Sequence, residues 1–318
     1  MTNIKDIARL ANVSVSTVSR VMNQHPHVSD SVRKDVLKIA EKMNYVANEN
    51  AVKLSRGKSG MIGVIIPYNN NSCYDELIQA ILKETKERGY QVLLLPTYFE
   101  KKAEEYYCSL LSKKVVDGMI ITSKISDDAF IEKLAKNGEI ISTEKLKTNE
   151  VTAIFPDRKK AYSDVFSYLK NQNYSSIVFT INREVEESTS SREKVLSYTE
   201  IFGEARKNQQ YFSQLNSYQG GYELAQKLFK QQLVPDAIFS NGDEVAAGII
   251  GGAAELGYHY KNDFEIIGEG NLSYSKLLNF SSIDFHQGEI GKAAVQQLLS
   301  ESKPMHQIKL ATFINRRI

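Results

Sequence analysis

Apolar residues in the first 45 positions fall at helical spacing in three short groups. Ile4, Ile7, Ala8 and Ala11 stand at i, i+3, i+4 and i+7, one face of a helix. Asn12-Val13-Ser14 interrupts that stripe. Ser14 is suited to cap a second helix from about Val15, with Val18, Val21 and Met22 as its buried side. His25-Pro26-His27 closes this group, because proline disfavours helix in the residue before it. Ser29 or Asp30 then caps a third helix, whose Val32, Val36, Ile39, Ala40 and Met43 form one stripe. Residues 46–58 are polar and read as a linker. Their helix propensity, around Asn48 to Ser55, needs a partner to hold it, since a short isolated helix is barely stable in water.

From Met61 the rhythm changes. Short apolar runs recur at Met61–Ile66, Val92–Leu95, Gly118–Ile121, Ile140–Ile141, Ile177–Thr180, Ala237–Phe239 and Glu265–Ile267. Helical patterns separate most of them: Leu77–Glu87, Ala103–Leu111, Ala161–Leu169, Tyr222–Phe229 and Val245–Leu256. Alternating strand and helix predicts parallel sheets covered by helices. The stretch is too long for one small sheet, so two α/β lobes are expected, with a ligand crevice at the C-terminal ends of their strands.

An apolar fraction of 42% and a charged fraction of 25% fit a soluble globular protein. No run approaches the ~18 apolar residues of a membrane helix, and Met1 to Ala11 lacks a secretory pattern, so a cytoplasmic protein is expected. The two cysteines, Cys73 and Cys108, have no neighbours at metal-ligand spacing, and neither a disulfide framework, a metal nor another cofactor is expected. Enzyme chemistry finds no support. There is no phosphate loop or nucleophile elbow, His259, His286 and His306 are isolated, and Gly268-Glu269-Gly270 lacks the third glycine of a dinucleotide fingerprint. Charge is informative once divided: residues 1–58 hold ten Lys and Arg against five Asp and Glu, a net of +5, while the remainder, with 30 against 33, carries −3. The cationic end is the one expected to meet a polyanion.

Three short helices with this charge suit a helix-turn-helix, whose second helix enters the DNA major groove. Ser16 and Arg20, four apart, share a face of that helix with Val15 beside them. The Arg20 fork can bond guanine O6 and N7 together, Val15 can pack on a thymine methyl, and Thr17, Asn23 and Tyr45 are suitable phosphate donors. Without the charge and the fold, Arg20 would read as an ordinary surface arginine.

Thr2-Asn3-Ile4-Lys5-Asp6-Ile7-Ala8, Val13-Ser14-Val15-Ser16-Thr17-Val18-Ser19-Arg20-Val21, Val28-Ser29 and Tyr45 closely resemble the head of the lactose-repressor (LacI/GalR) family. The similarity continues through Ile62-Gly63-Val64-Ile65-Ile66-Pro67, Val116-Asp117-Gly118-Met119-Ile120-Ile121 and Ala237-Ile238-Phe239-Ser240-Asn241-Gly242-Asp243. The resemblance implies an all-α helix-turn-helix head (1–46) and a hinge helix (47–59), followed by a two-lobed α/β core like the periplasmic binding proteins (60–318). One lobe would take about 60–157 plus 285–311 and the other about 158–284. It implies base contacts from Val15, Ser16 and Arg20, and a Leu54 wedge in the minor groove. The hinge departs from the family pattern at Ala47, Asn50 and Val52, where a proline, an apolar residue and an arginine are usual.

For the cleft, the resemblance places Asn71 and Tyr74 on a loop over the ligand and puts Arg192 where many members hold a hydroxyl or an anion. An ion pair with Glu193 or Glu187 is the alternative for Arg192. Two sugar anchors of the family are replaced, by Gly242 and Gly270. Three readings stay open: a bulkier ligand, binding through Asn241 and Asn271 instead, or loss of ordinary sugar binding. Asp243 is expected to cap the helix that follows it. The function implied is a homodimeric repressor of a carbohydrate-utilisation operon, bound to a palindromic DNA operator and controlled by a sugar or sugar derivative. A transcriptional activator and a sugar-binding protein without a DNA role are the alternatives.

Overall fold

In a computed structural model of the chain, residues 3–23, 25–45, 57–203, 211–300 and 304–317 are described. They divide into two compact units, Met1–Gly60 and Met61–Ile318. Leu54 and hinge positions 47–56 lie outside the described residues.

The first unit holds α1 (Ile4–Leu10), α2 (Val15–Met22) and α3 (Asp30–Lys42). A reciprocal capping box starts α1: Asn3 Oδ1 accepts the Asp6 N–H at 3.1 Å, and Asp6 Oδ2 accepts the Asn3 N–H at 3.2 Å. Ser14 Oγ caps α2 by accepting the Thr17 N–H at 3.1 Å. The third cap differs from expectation. Ser29 holds the N-cap position but makes no side-chain cap bond, its hydroxyl lying 3.4 Å from Ser31 Oγ instead. Ile7, Ala8, Val18, Val21, Val36 and Ala40, drawn from all three helices, form the head's core.

The second unit contains two six-stranded sheets. In chain order its strands are β1 (Met61–Ile66), β2 (Gln91–Pro96), β3 (Gly118–Ile121), β4 (Glu139–Ser142), β5 (Thr152–Pro156), β6 (Ile177–Thr180), β7 (Tyr211–Phe212), β8 (Ala237–Phe239), β9 (Glu265–Glu269), β10 (Ser281–Asp284), β11 (His306–Lys309) and β12 (Thr312–Ile314). The helices between them are α4 (Asp75–Glu87), α5 (Lys101–Ser112), α6 (Asp128–Ala135), α7 (Arg158–Asn171), α8 (Thr189–Phe202), α9 (Tyr218–Lys230), α10 (Asp243–Ala254), α11 (Ser273–Leu278) and α12 (Gln287–Leu298). The sheet orders are β11-β5-β4-β3-β1-β2 and β12-β10-β9-β8-β6-β7. All described pairings are parallel except β10 with β12.

Buried strands and helices account for the near-continuous apolar runs: Ile62, Val64 and Ile66 of β1 pack with Ile290, Ala294 and Val295 of α12, while Ile65 faces Leu111 and Ile131 on the other side. The second lobe is built on rings, with Phe166, Phe179, Tyr198 and Phe239 in one cluster and Phe166 edge-on to each of the other three at 5.2–5.4 Å. Helices α9 and α10 pack through glycines at closest approach. A Cβ on Gly248 would lie 2.0 Å from the Tyr218 carbonyl oxygen, and one on Gly221 would lie 2.1 Å from that of Val245. Three segments carry the chain from one lobe to the other, at β5–α7, β10–α12 and β11–β12. The second of these turns on His286, held at φ +50° while its N–H bonds Asp284 Oδ1 at 2.7 Å. No helix among the described residues is long and apolar enough to cross a membrane.

Candidate functional site

Helix α2 turns Val18 and Val21 into the head's core, which directs Val15, Ser16 and Arg20 outward. Val15, a β-branched apolar residue, is 41% exposed. Ser14 Oγ lies 2.7 Å from Ser16 Oγ and 2.8 Å from Thr17 Oγ1, so hydroxyls cluster at the N-terminus of this helix, where its dipole favours negative charge. Asn23 closes the helix, its Nδ2 donating to the Ser19 carbonyl at 2.9 Å. Tyr45 is half-buried, its ring packed on the head's core.

A cavity of about 90 Å³ lies between the two lobes of the core, at the C-terminal ends of the strands. Tyr74 borders it from the 3-10 turn after β1, and Arg158 and Tyr162 border it from α7. Ser191 and Lys194 line it from α8, and Asn241, Glu269 and Phe285 from the ends of β8, β9 and β10. A smaller hollow of about 10 Å³ adjoins it, sharing Arg158 and Ser190 and adding Glu144, Lys145 and Glu193.

A buried charge network occupies the larger cavity's wall. Lys194 Nζ donates to Glu269 Oε1 at 2.7 Å, to the Ser240 carbonyl at 3.1 Å and to that of Phe239 at 3.3 Å. It also stands 3.6 Å from the centre of the Phe239 ring. Tyr162 Oη donates to the other Glu269 oxygen at 3.3 Å. Burial pulls the Lys194 ammonium below its usual range against the opposing pull of Glu269. Burial and then Glu269 hold the Tyr162 phenol well above its own range, so it remains a donor. Burial also pushes the Cys73 and Cys108 thiols up to about 12, leaving both protonated at neutral pH.

Of the cleft residues expected from sequence, Tyr74 and Asn241 line the cavity; Asn71, Arg192 and Asn271 do not. Asn71 caps the 3-10 turn, its Oδ1 accepting the Cys73 N–H at 3.0 Å. Arg192 is exposed and donates to the Glu186 carbonyl at 3.1 Å, pairing with neither Glu193 nor Glu187. Lys194, two residues on, points into the cavity in its place. Asn271 is taken up by Asp284, to which its amide donates at 2.9 Å, and by Arg316, which donates to its carbonyl oxygen at 2.5 Å. Asn241 itself donates to the Leu215 carbonyl at 2.7 Å and accepts from Thr180 Oγ1 at 2.5 Å, which ties β8 to β6.

The expected cap by Asp243 is also corrected. Asp243 is the first residue of α10 behind Gly242, and its carboxylate turns inward to accept Ser282 Oγ and the Leu272 N–H, each at 2.6 Å. Sequence reasoning missed Arg158, Tyr162, Lys194 and Glu269. Only Glu269 carried a visible signal, a lone acid ending an apolar strand. Among the described residues no group of three His, Cys, Asp or Glu could hold a metal ion.

Known proteins share both parts of this architecture. Residues 3–48 match the family of bacterial regulatory proteins of the lacI type, and residues 59–310 match the periplasmic binding proteins and sugar-binding domain of the LacI family. Catabolite control protein B of Bacillus subtilis is 39% identical over 97% of this chain and 99% of its own. Catabolite control protein A of Priestia megaterium is 30% identical over 93% and 91%. Among solved structures, the lac repressor dimer bound to operator and an anti-inducer superposes with a TM-score of 0.84 over 99% of this chain and 98% of that one, at 20% identity. The fold is therefore the expected one.

Proposed function

The chain belongs to the LacI family of bacterial regulatory proteins, and from that premise we propose that this DNA-binding transcription regulator is a cytoplasmic repressor of a carbohydrate-utilisation operon, without enzymatic activity, released or engaged by a small effector. The observation that carries the reading is the outward face of α2: Val15, Ser16 and Arg20 stand exposed on a helix fixed by its own small core. In this reading those three contact bases, with Arg20 forked onto a guanine, while Thr17, Asn23 and Tyr45 hold phosphates. Leu54 is the minor-groove wedge. The protein acts as a homodimer on a palindromic operator, because two-fold symmetry in the protein matches two half-sites in the DNA. Related structures solved with a ligand support the effector role of the interlobe cleft: the CelR neighbour is a cellobiose complex, and a regulator from Lactobacillus casei was solved with glucose and with sucrose.

The test is a gel-shift titration of the full chain against palindromic sites near its own gene, repeated at several salt concentrations. Binding should weaken steeply with salt, as counterion release requires, and a chain starting at residue 59 should not shift the site. Equal affinity with and without residues 1–58 would overturn the assignment.

A further inference from the structure

We propose that Arg158 is an anion anchor in the interlobe cleft, so that the effector carries a negatively charged group, a phosphate or a carboxylate. This rests on the cleft being the effector site and specifies the chemistry that it accepts.

The other cations around the cleft are already engaged. Lys194 is saturated, its three donors spent on Glu269 and two backbone carbonyls. Arg183 lies over the Phe99 ring, 4.1 Å from its centre, and reaches the Lys124 carbonyl at 3.5 Å. Lys145 stands 3.7 Å from Glu193, and Lys124 is 2.7 Å from Asp128. Among these cations Arg158 alone has no hydrogen bond or salt bridge to the described residues; its guanidinium carbon stands 5.0 Å from the centre of the Phe285 ring. A ring face orients a guanidinium and leaves its edge donors unmet.

Arg158 opens α7 directly after β5, and it lines both the larger cavity and the smaller hollow. In the larger cavity Lys194 and Glu269 are already paired with each other, and the Arg158 charge is met through space by Glu144 and Glu269 without a hydrogen bond to either, which leaves its edge donors open to a ligand. Burial pushes the nearby Glu144 carboxyl up, against the pull of Arg158 and Arg183. A charged group in a partly enclosed site is stabilised by a counter-ion, and a planar fork matches phosphate or carboxylate oxygens in pairs.

Binding to the full chain would be measured by calorimetry with four probes: glucose, gluconate, glucose 6-phosphate and inorganic phosphate. At least one anionic sugar should bind roughly tenfold or more tightly than glucose, with phosphate and carboxylate told apart by which of the two anionic sugars it is. Arg158→Gln should erase that preference, and Arg158→Lys should keep part of it; the unliganded melting temperature of each variant reports whether the fold is intact. Glucose binding as tightly as both anionic sugars, binding of inorganic phosphate alone, or an anion preference that survives in folded Arg158→Gln would overturn the anchor. Ser191→Trp, which fills the cavity, separates the two claims. If it abolishes binding of every probe while Arg158→Gln changes nothing, the cleft reading holds and the anchor fails. If anionic-sugar binding survives both, the cleft reading fails with it.

Discussion

Lys194 and Glu269 meet at 2.7 Å with side chains only 1% and 9% exposed, the one from the middle of α8 and the other from the last residue of β9. A buried ion pair of this kind adds little net stability, yet either member alone is an uncompensated charge. Lys194→Met should therefore cost about 3–5 kcal/mol, and the double substitution Lys194→Met with Glu269→Leu should recover most of it. Urea unfolding of the three variants provides the cycle. Additive losses would mean that the two groups do not compensate each other.

Arg20→Ala should remove about 1–3 kcal/mol of discrimination at one guanine in each operator half-site while leaving general affinity for DNA largely in place. Sequence preference measured on a randomised half-site reads this directly. An unchanged preference would show that α2 presents another face to the bases.

Gly248→Ala tests the closeness of α9 and α10. Alanine favours a helix by about 1 kcal/mol over glycine, but its methyl would sit 2.0 Å from the Tyr218 carbonyl oxygen, a backbone atom with no rotamer to retreat to. Overpacking should win, for a net loss of about 2 kcal/mol in chemical denaturation. A stabilised variant would contradict the packing.

Asp243 gives a pH signature. Burial raises its carboxyl to about 6, against the lowering effect of bonds from Ser282, Ser275 and the Leu272 N–H. In the unfolded chain an aspartate titrates near 3.9. As pH rises from about 4 to about 6 the unfolded state releases this proton while the fold retains it, so stability falls across that window and levels off above it, by roughly 3 kcal/mol. The stability difference between wild type and Asp243→Asn should then shift by that amount, in favour of the variant, between pH 4 and pH 7. Parallel profiles would mean that the carboxylate is not strained by burial.

Helical stripes and apolar runs made the head and most parallel strands legible, because in those elements one physical demand, burial, chooses the residue types. Legibility failed where polar groups serve the interior. β10 reads Ser-Ser-Ile-Asp, yet Ser281, Ser282 and Ile283 are buried, with Ser282 bonding Asp243. Helix α8 conceals its inner face for the same reason, since Ser191, Lys194, Ser197 and Tyr198 are all buried on it. Arg158 is followed by Lys159 and Lys160, and that run reads as a solvated basic patch; the fold exposes the two lysines and turns the arginine to the cavity. No local rule distinguishes these cases, because the partners lie far along the chain, Asp243 being 39 residues from Ser282 and Glu269 75 from Lys194.

The last connection between the lobes has a consequence for the order of assembly. β11 completes the first sheet beside β5, and β12 completes the second beside β10, although both strands lie within residues 306–314. On the ribosome, the three-helix head has its own core once α3 has emerged, whereas each lobe of the sensor waits for a strand within residues 306–314. A nascent chain interrupted before residue 306 would thus carry a finished DNA-reading module and a sensor missing an edge on both halves.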